Sequence, residues 1–425
     1  MNVSALRLYP DLRVDADRLL RRIAELGDVG AVHGPNGEHG CARLALTDAD
    51  RDGRDLVVAW MRDLDLAVSI DAIGNVVATL DGSDATAAPV MTGSHIDTVR
   101  TGGRFDGNLG VLAGLEVIET LKQHGVITSR PIQVAFFTDE EGSRFAPDML
   151  GSLVYVGGLA LEEALDARAV DNDARLGDEL TRIGYAGSTP CPAADAPSSY
   201  VELHIEQGPV LEEQGITIGV VSGVQGISWT EMVITGQSAH AGTTPMRLRR
   251  DALVPAAAIA CEARRLAMEM GGTQVATVGR FEPYPNLVNV LAQTVILSLD
   301  LRNTDDTLLR RAEAHMMEFA EDVCARGSCE LQSHSLARFE PVVFDANMID
   351  LVERTAVQQG HSTLRMPSGA GHDAQMLARV CPTSMIFVPS VNGLSHNIAE
   401  FTESVDIAAG ANVLLHVMLD LAQRL

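Results

Sequence analysis

Lysine is almost missing from this chain. Lys122 is the single one in 425 residues, and the remaining positive charge is arginine. We read that bias as the base composition of a GC-rich genome. Basic residues are also outnumbered, 32 against 57 acidic ones, for a net charge of −25. Phosphate contacts need clustered Lys and Arg. The balance therefore excludes nucleic acid as a partner and argues equally against an anionic membrane surface. Cysteine is sparse. The six, at positions 41, 191, 261, 324, 329 and 381, form no C-x-x-C, and no histidine follows Cys324 and Cys329 at zinc-finger spacing. They read as reduced thiols of a cytoplasmic protein. The N-terminal stretch MNVSALRLYPDLRVDADRLLRRIAEL is charged and helical in pattern and lacks a signal-peptide core. No segment approaches the ~18–20 apolar residues of a membrane span. Internal repeats and low-complexity tracts are absent as well.

What remains is a chain with 46% hydrophobic residues, long enough for two or three domains. Up to about residue 220, helices and strands alternate. Helices are expected at Arg54–Asp65 and Asn108–His124, and strands at Leu66–Ile70, Asn75–Leu80, Pro89–Ser94, Ile132–Thr138 and Tyr200–Ile205. This rhythm predicts an α/β fold with a mixed sheet flanked by helices. From residue 222 to 333 the rhythm changes. Strands are expected at Val224–Gly236, Thr273–Phe281, Val288–Leu301 and Glu330–Leu336, with helices at Asp251–Met268 and Asp305–Arg326. The order β-α-β-β-α-β is that of a ferredoxin-like split βαβ unit. The α/β rhythm then resumes. We therefore expect a discontinuous α/β domain, residues 1–221 and 334–425, interrupted by an inserted α+β domain, residues 222–333.

The segment GSHIDTV, residues 93–99, places His95 just past a short apolar run, with Asp97 two residues on. A histidine at a strand's C-terminal end is well placed to bind metal, and a nearby carboxylate can orient its ring. Four further candidates stand in similar settings: Asp106, Glu141, His204 and His396. In open α/β sheets, ligands bind beyond the C-terminal ends of the strands. Each of the five sits after an expected strand or at the start of the helix that follows one. Singly, each has a plainer explanation. A lone histidine is more often a hydrogen-bonded structural residue, and Asp106 before a helix is usually an N-cap. Jointly, the five suit a pair of divalent ions rather than one structural zinc. The adjacent Glu140 and Glu141 suggest divided labour, one carboxylate binding metal and its neighbour acting as general base.

Together GSHIDTV, FDGNLGV at 105–111, DEEGSRF at 139–145, ELHIEQGP at 202–209, GQSAHAGTTPM at 236–246, SGAGHDAQ at 368–375 and LSHN at 394–397 resemble the hydantoinase/carbamoylase amidases. That group of N-carbamoyl-L-amino acid hydrolases, β-ureidopropionases and allantoate amidohydrolases belongs to the aminoacylase and carboxypeptidase superfamily of two-metal hydrolases. The resemblance implies a two-metal exopeptidase-like catalytic domain. His95 and His204 would hold one ion, Glu141 and His396 the other, and Asp106 would bridge. Glu140 would be the base, and Asp97 would orient His95. His240 of a neighbouring subunit would stabilise the oxyanion. Gln207, Asn289 and Arg302 would hold substrate, with the backbone at Gly371 close to it. The inserted domain would serve dimerisation and act as a lid. The implied reaction is hydrolysis of the carbamoyl C–N bond of an N-carbamoyl-L-amino acid to amino acid, ammonia and carbon dioxide. Zn, Mn, Co and Ni all suit the mixed N/O ligands. Allantoate or N-carbamoyl-β-alanine as substrate, an aminoacylase or peptidase activity, and a non-catalytic metal-binding protein are the rival readings.

Overall fold

The computed structural model describes residues 9–423, so the first eight residues of the helical-looking N-terminal stretch lie outside the described residues. The described part of that stretch forms the helix Ala16–Asp28, capped by the Asp15 side chain. The chain divides into two compact units, one running up to Ser222 and resuming at Phe344, the other Gly223–Val343. The second boundary lies at Val343 rather than residue 333. Its last long strand, Glu330–Phe339, continues past Leu336 as part of that unit's sheet.

In the first unit one mixed sheet runs Ile218–Val224, Thr383–Val388, Ser199–Ile205, Val90–His95, Ile132–Phe137, Val76–Leu80, Ala67–Ile70, with Thr363–Ser368 paired to Ile218–Val224. The four strands from Thr383–Val388 to Ile132–Phe137 are mutually parallel. Ile218–Val224 joins Thr383–Val388 antiparallel, and Ile132–Phe137, Val76–Leu80 and Ala67–Ile70 are joined antiparallel in turn. Every residue of Val90–His95, Ser199–Ile205 and Thr383–Val388 is buried. Such continuous burial marks strands covered on both faces. The helices Asn108–Gln123 and Ser404–Ala422 pack on these strands and on each other.

The helix Ser404–Ala422 corrects the expectation that no segment approaches a membrane span. It is the one described helix long and apolar enough to cross a membrane, yet 72% of its apolar window is buried within the fold. Its hydropathy is that of a core helix. The helix expected at Arg54–Asp65 begins earlier and spans Asp48–Asp63, because the Thr47 side chain accepts the Asp50 N–H and caps it. All six cysteines are free thiols.

The second unit is a sheet in the order Val275–Thr277, Thr294–Asn303, Gly226–Thr235, Glu330–Phe339, antiparallel throughout, with Phe281–Tyr284 also paired to Thr294–Asn303. Val295, Leu297, Leu299 and Leu301 alternate along their strand. They meet Ile259 and Leu309 of the helices Leu253–Met270 and Asp306–Arg326 in one core. Two strand expectations fail here. Thr273–Phe281 breaks into two short pieces, and Val288–Leu301 begins only at Thr294. The apolar run before Thr294 is a surface turn instead. Asn286 has φ of 55°, and the Val288 side chain faces solvent.

Candidate metal centre

Parallel neighbours bring the strand-end residues together. His95 is the last residue of its strand and His204 the last but one of the adjacent parallel strand. Glu140 and Glu141 follow the strand Ile132–Phe137 on the other side of His95. His396 follows Thr383–Val388. Asp106 precedes the helix Asn108–Gln123, separated from it by Gly107 with φ of 65°. A Cβ at Gly107 would stand 2.4 Å from the His95 ring, so glycine alone lets the Asp106 turn approach that ligand.

Asp106 lies at the middle. Its Oδ1 is 3.2 Å from His204 Nε2 and 3.6 Å from His95 Nε2, and its Oδ2 is 3.8 Å from His396 Nε2. Glu141 Oε2 stands 3.1 Å from His396 Nε2. The donor atoms therefore form two groups, His95–Asp106–His204 and Asp106–Glu141–His396, each within 4.8 Å and sharing Asp106. Burial would raise the Asp106 carboxyl, but His204 and His95 hold it well below the usual carboxylate range. The Glu141 Oε1 atom is buried without a hydrogen-bond partner among the described residues. An unpartnered buried carboxylate oxygen is costly unless a cation compensates it. That orphan and the N/O donor set fit divalent ions. A third group, Glu202–His204–His372, is also close enough. There Glu202 already accepts Ser94 Oγ at 2.6 Å and Ala374 N at 2.9 Å, which makes it a structural acceptor.

Glu140 is buried beside the first group, with Oε2 3.4 Å from His95 Nε2. Burial is the largest influence on it and pushes its carboxyl well above the ordinary range. Asp373, Glu141 and Asp97 add to this, and His95 opposes it. Groups perturbed in this way are typical of sites that move protons. Asp97 departs from expectation. The His95 ring is fixed by the Asp97 backbone carbonyl, 2.9 Å from Nδ1, whereas the carboxylate is 3.9 Å away. That carboxylate instead accepts the N–H groups of Glu140 and Glu141 at 3.2 and 3.3 Å.

Gln207 donates from Nε2 to Asp106 Oδ2 at 2.8 Å, and its Oε1 is buried without a hydrogen-bond partner among the described residues. Gly371 lies just before the helix Asp373–Leu377, against the Met149 side chain. His240, Asn289 and Arg302 belong to the second unit. There the loop around His240 runs beside that of Asn289: Ala241 N–H donates to Asn289 O at 3.0 Å. His240 Nδ1 accepts the Gly242 and Thr243 N–H groups, leaving Nε2 to carry the ring proton. Arg302 is engaged with Asp300, Nη2 to Oδ2 at 2.9 Å, and its guanidinium lies over the Trp229 ring.

Comparison with known proteins shows the family. Residues 91–420 match peptidase family M20/M25/M40. An N-carbamoyl-L-amino-acid amidohydrolase of Rhizobium meliloti is 41% identical over 411 residues, 97% of each chain. The chain belongs to this family. A solved hydantoinase/carbamoylase family amidase from Burkholderia multivorans is 45% identical, with a TM-score of 0.93 over 98% of this chain and 100% of that one. An allantoate amidohydrolase of Escherichia coli is 35% identical over 358 residues, 84% of this chain and 87% of that one. The M20/M25/M40 chain described here is a hydrolase acting on amide C–N bonds.

Several site residues escaped the sequence reading. Ser395 donates to Asp106 Oδ2 at 2.7 Å, and Glu400 accepts the Phe105 and Asp106 N–H groups at 3.0 and 3.1 Å. Burial pushes the Glu400 carboxyl up to about 8, with Asp106 adding to it. His372 is buried with its ring centroid 4.6 Å from that of His204. Ser395 and His372 sit inside LSHN and SGAGHDAQ, so the motifs held the signal; nothing local marks Glu400.

Proposed function

We propose that this amidohydrolase acts on N-carbamoyl-L-amino acids with two divalent ions, drawn from Zn, Mn, Co or Ni. The observation that carries the two-ion reading is the sharing of Asp106 between two donor groups. His95 and His204 would hold one ion and Glu141 and His396 the other, with Asp106 between. When bound, the ions supply Lewis acidity toward water and the carbamoyl oxygen.

The remaining work falls to side chains. Glu140 takes the proton of the attacking water and passes it to the leaving nitrogen, a role its raised proton affinity supports. Asp97 fixes the Glu140 backbone through the N–H it accepts. Gln207, oriented by Asp106, offers Oε1 to a substrate N–H. His240 offers an Nε2 proton to the developing oxyanion. Asn289, Arg302 and the Gly371 backbone complete the substrate contacts, with Arg302 gripping the substrate carboxylate. The second unit would also make the homodimer contact, which the largely exposed edge strand Glu330–Phe339 supports.

A substrate panel tests the reading, with ammonia release measured for the carbamoyl and ureido acids and release of free amino acid measured for the N-acyl amino acids and dipeptides. N-carbamoyl-L-amino acids should be turned over in preference to allantoate, N-carbamoyl-β-alanine, N-acyl amino acids and dipeptides. Preferred turnover of allantoate would move the assignment to the ureido acids, and turnover of dipeptides alone would move it to the peptidases.

A further inference from the structure

Arg43 is fully buried, yet no carboxylate lies within ion-pair distance of it among the described residues. Its guanidinium is spent on neutral acceptors. Nε donates to Ile96 O at 2.8 Å, Nη2 to Asn108 Oδ1 at 2.8 Å, and Nη1 to Leu26 O and Val29 O at 2.8 and 2.7 Å. Its backbone joins the same segment from the other side. Arg43 N–H donates to Thr98 Oγ1 at 2.7 Å, and Thr98 N–H donates to Arg43 O at 2.9 Å. A buried guanidinium without a counter-charge is expensive, and a fold keeps one only where its several donors are all needed.

The acceptors show the purpose. Ile96 lies between His95 and Asp97, and Thr98 follows Asp97. Asn108 opens the helix two residues after Asp106. One side chain thus bonds two of the three chain segments that carry the first ligand group, those of His95 and Asp106. The planar fork fixes their spacing as a single-headed donor would not. The neighbouring helix leaves room for it: a Cβ at Gly53 would stand 2.7 Å from Arg43 Cδ.

We propose that Arg43 is a positioning residue for the metal centre, setting the distance between His95 and Asp106. The inference rests on the two-ion reading above. Removing partners that orient ligands typically costs ~10–100-fold in metal affinity. Arg43→Met should weaken affinity for Mn or Zn to that extent, and Arg43→Lys nearly as much. Asn108→Ala, which removes one arm only, should weaken it several-fold. The double variant should fall short of the product of the two single effects, since both break one contact.

Metal titration against a competing chelator, alongside thermal melts of the metal-free chains, tests this. Leu26→Ala is the control. Its side chain is buried, and the substitution should lower the melting temperature without removing a guanidinium hydrogen bond. Its metal affinity should stay within about twofold of wild type. A wild-type chain that takes up no metal overturns the two-ion reading and the inference with it. A wild type that loads, with Arg43 variants loading equally well, overturns the role of Arg43 alone. So does a loss no greater than that of Leu26→Ala at equal melting temperature. If Arg43→Met fails to fold, Asn108→Ala decides, and unchanged metal affinity there overturns the proposal.

Discussion

The Asp97 carboxylate accepts the backbone N–H of Glu140 at 3.2 Å and that of Glu141 at 3.3 Å. One side chain thus holds the backbone of both the proposed base and a proposed ligand, while its own backbone carbonyl fixes His95. Asp97→Asn keeps the carbonyl contact but offers one acceptor oxygen where two N–H groups need partners. We expect turnover to fall ~10–100-fold, with the fold retained by circular dichroism. Wild-type kinetics in Asp97→Asn would show that the backbone contact alone suffices.

Glu140→Gln preserves shape but cannot take a proton. Turnover should fall by ~10²-fold or more, and metal content by elemental analysis should match wild type. Normal turnover would remove Glu140 from the base role.

Metal loading should release protons. In the metal-free chain Glu141 pushes the His396 imidazole up to about 9, against its own burial. His95 is also pushed well above its ordinary value: burial opposes this, and Glu140 and Asp106 more than reverse it. Ligand histidines bind as the neutral form. Apparent affinity should therefore rise with pH until about 9, where His396 has lost its proton. In the absence of metal the sign reverses. The His396–Glu141 pair stabilises the fold fully below an unfolded pKa of ~6.5, and the contribution fades as pH rises through about 9. Isothermal titration at pH 7 in two buffers of different ionisation enthalpy counts the released protons. Identical heats in both buffers would contradict the linkage.

Arg302 presents a different test, because Asp300 already occupies part of its fork. If Arg302 grips the substrate carboxylate, Arg302→Lys should cost roughly 2–4 kcal/mol of transition-state binding. That equals ~30–1000-fold in kcat/KM. Substrate amides should react slowly with the wild type and lose little more in the variant. Equal losses for acid and amide substrates would make Arg302 a structural partner of Asp300 and Trp229.

Chain mixing tests the dimer and the source of His240. Inactive His240→Ala and Glu140→Gln chains, differently tagged and shown to exchange, should regain part of the activity if His240 acts across subunits. Verified mixed dimers without activity would place His240 within its own chain or outside the reaction.

The sequence by itself determined the strand-end positions of His95 and His204. Buried parallel strands must be apolar on both faces, so TSMIFV and SYVELHI stand out as runs. The motif set determined the family. It did not determine where the apolar stretch around Val288 goes, since strand and surface turn share that composition and only tertiary packing chose. Nor did it reveal that the Asp97 carboxylate serves Glu140 rather than the His95 ring, or that Glu400, Ser395 and Arg43 surround the Asp106 turn. Those are contacts between segments 43 to 295 residues apart. No periodicity encodes them. The fold creates them by laying parallel strands side by side, and burial then forces every polar group at the strand ends to find its partner.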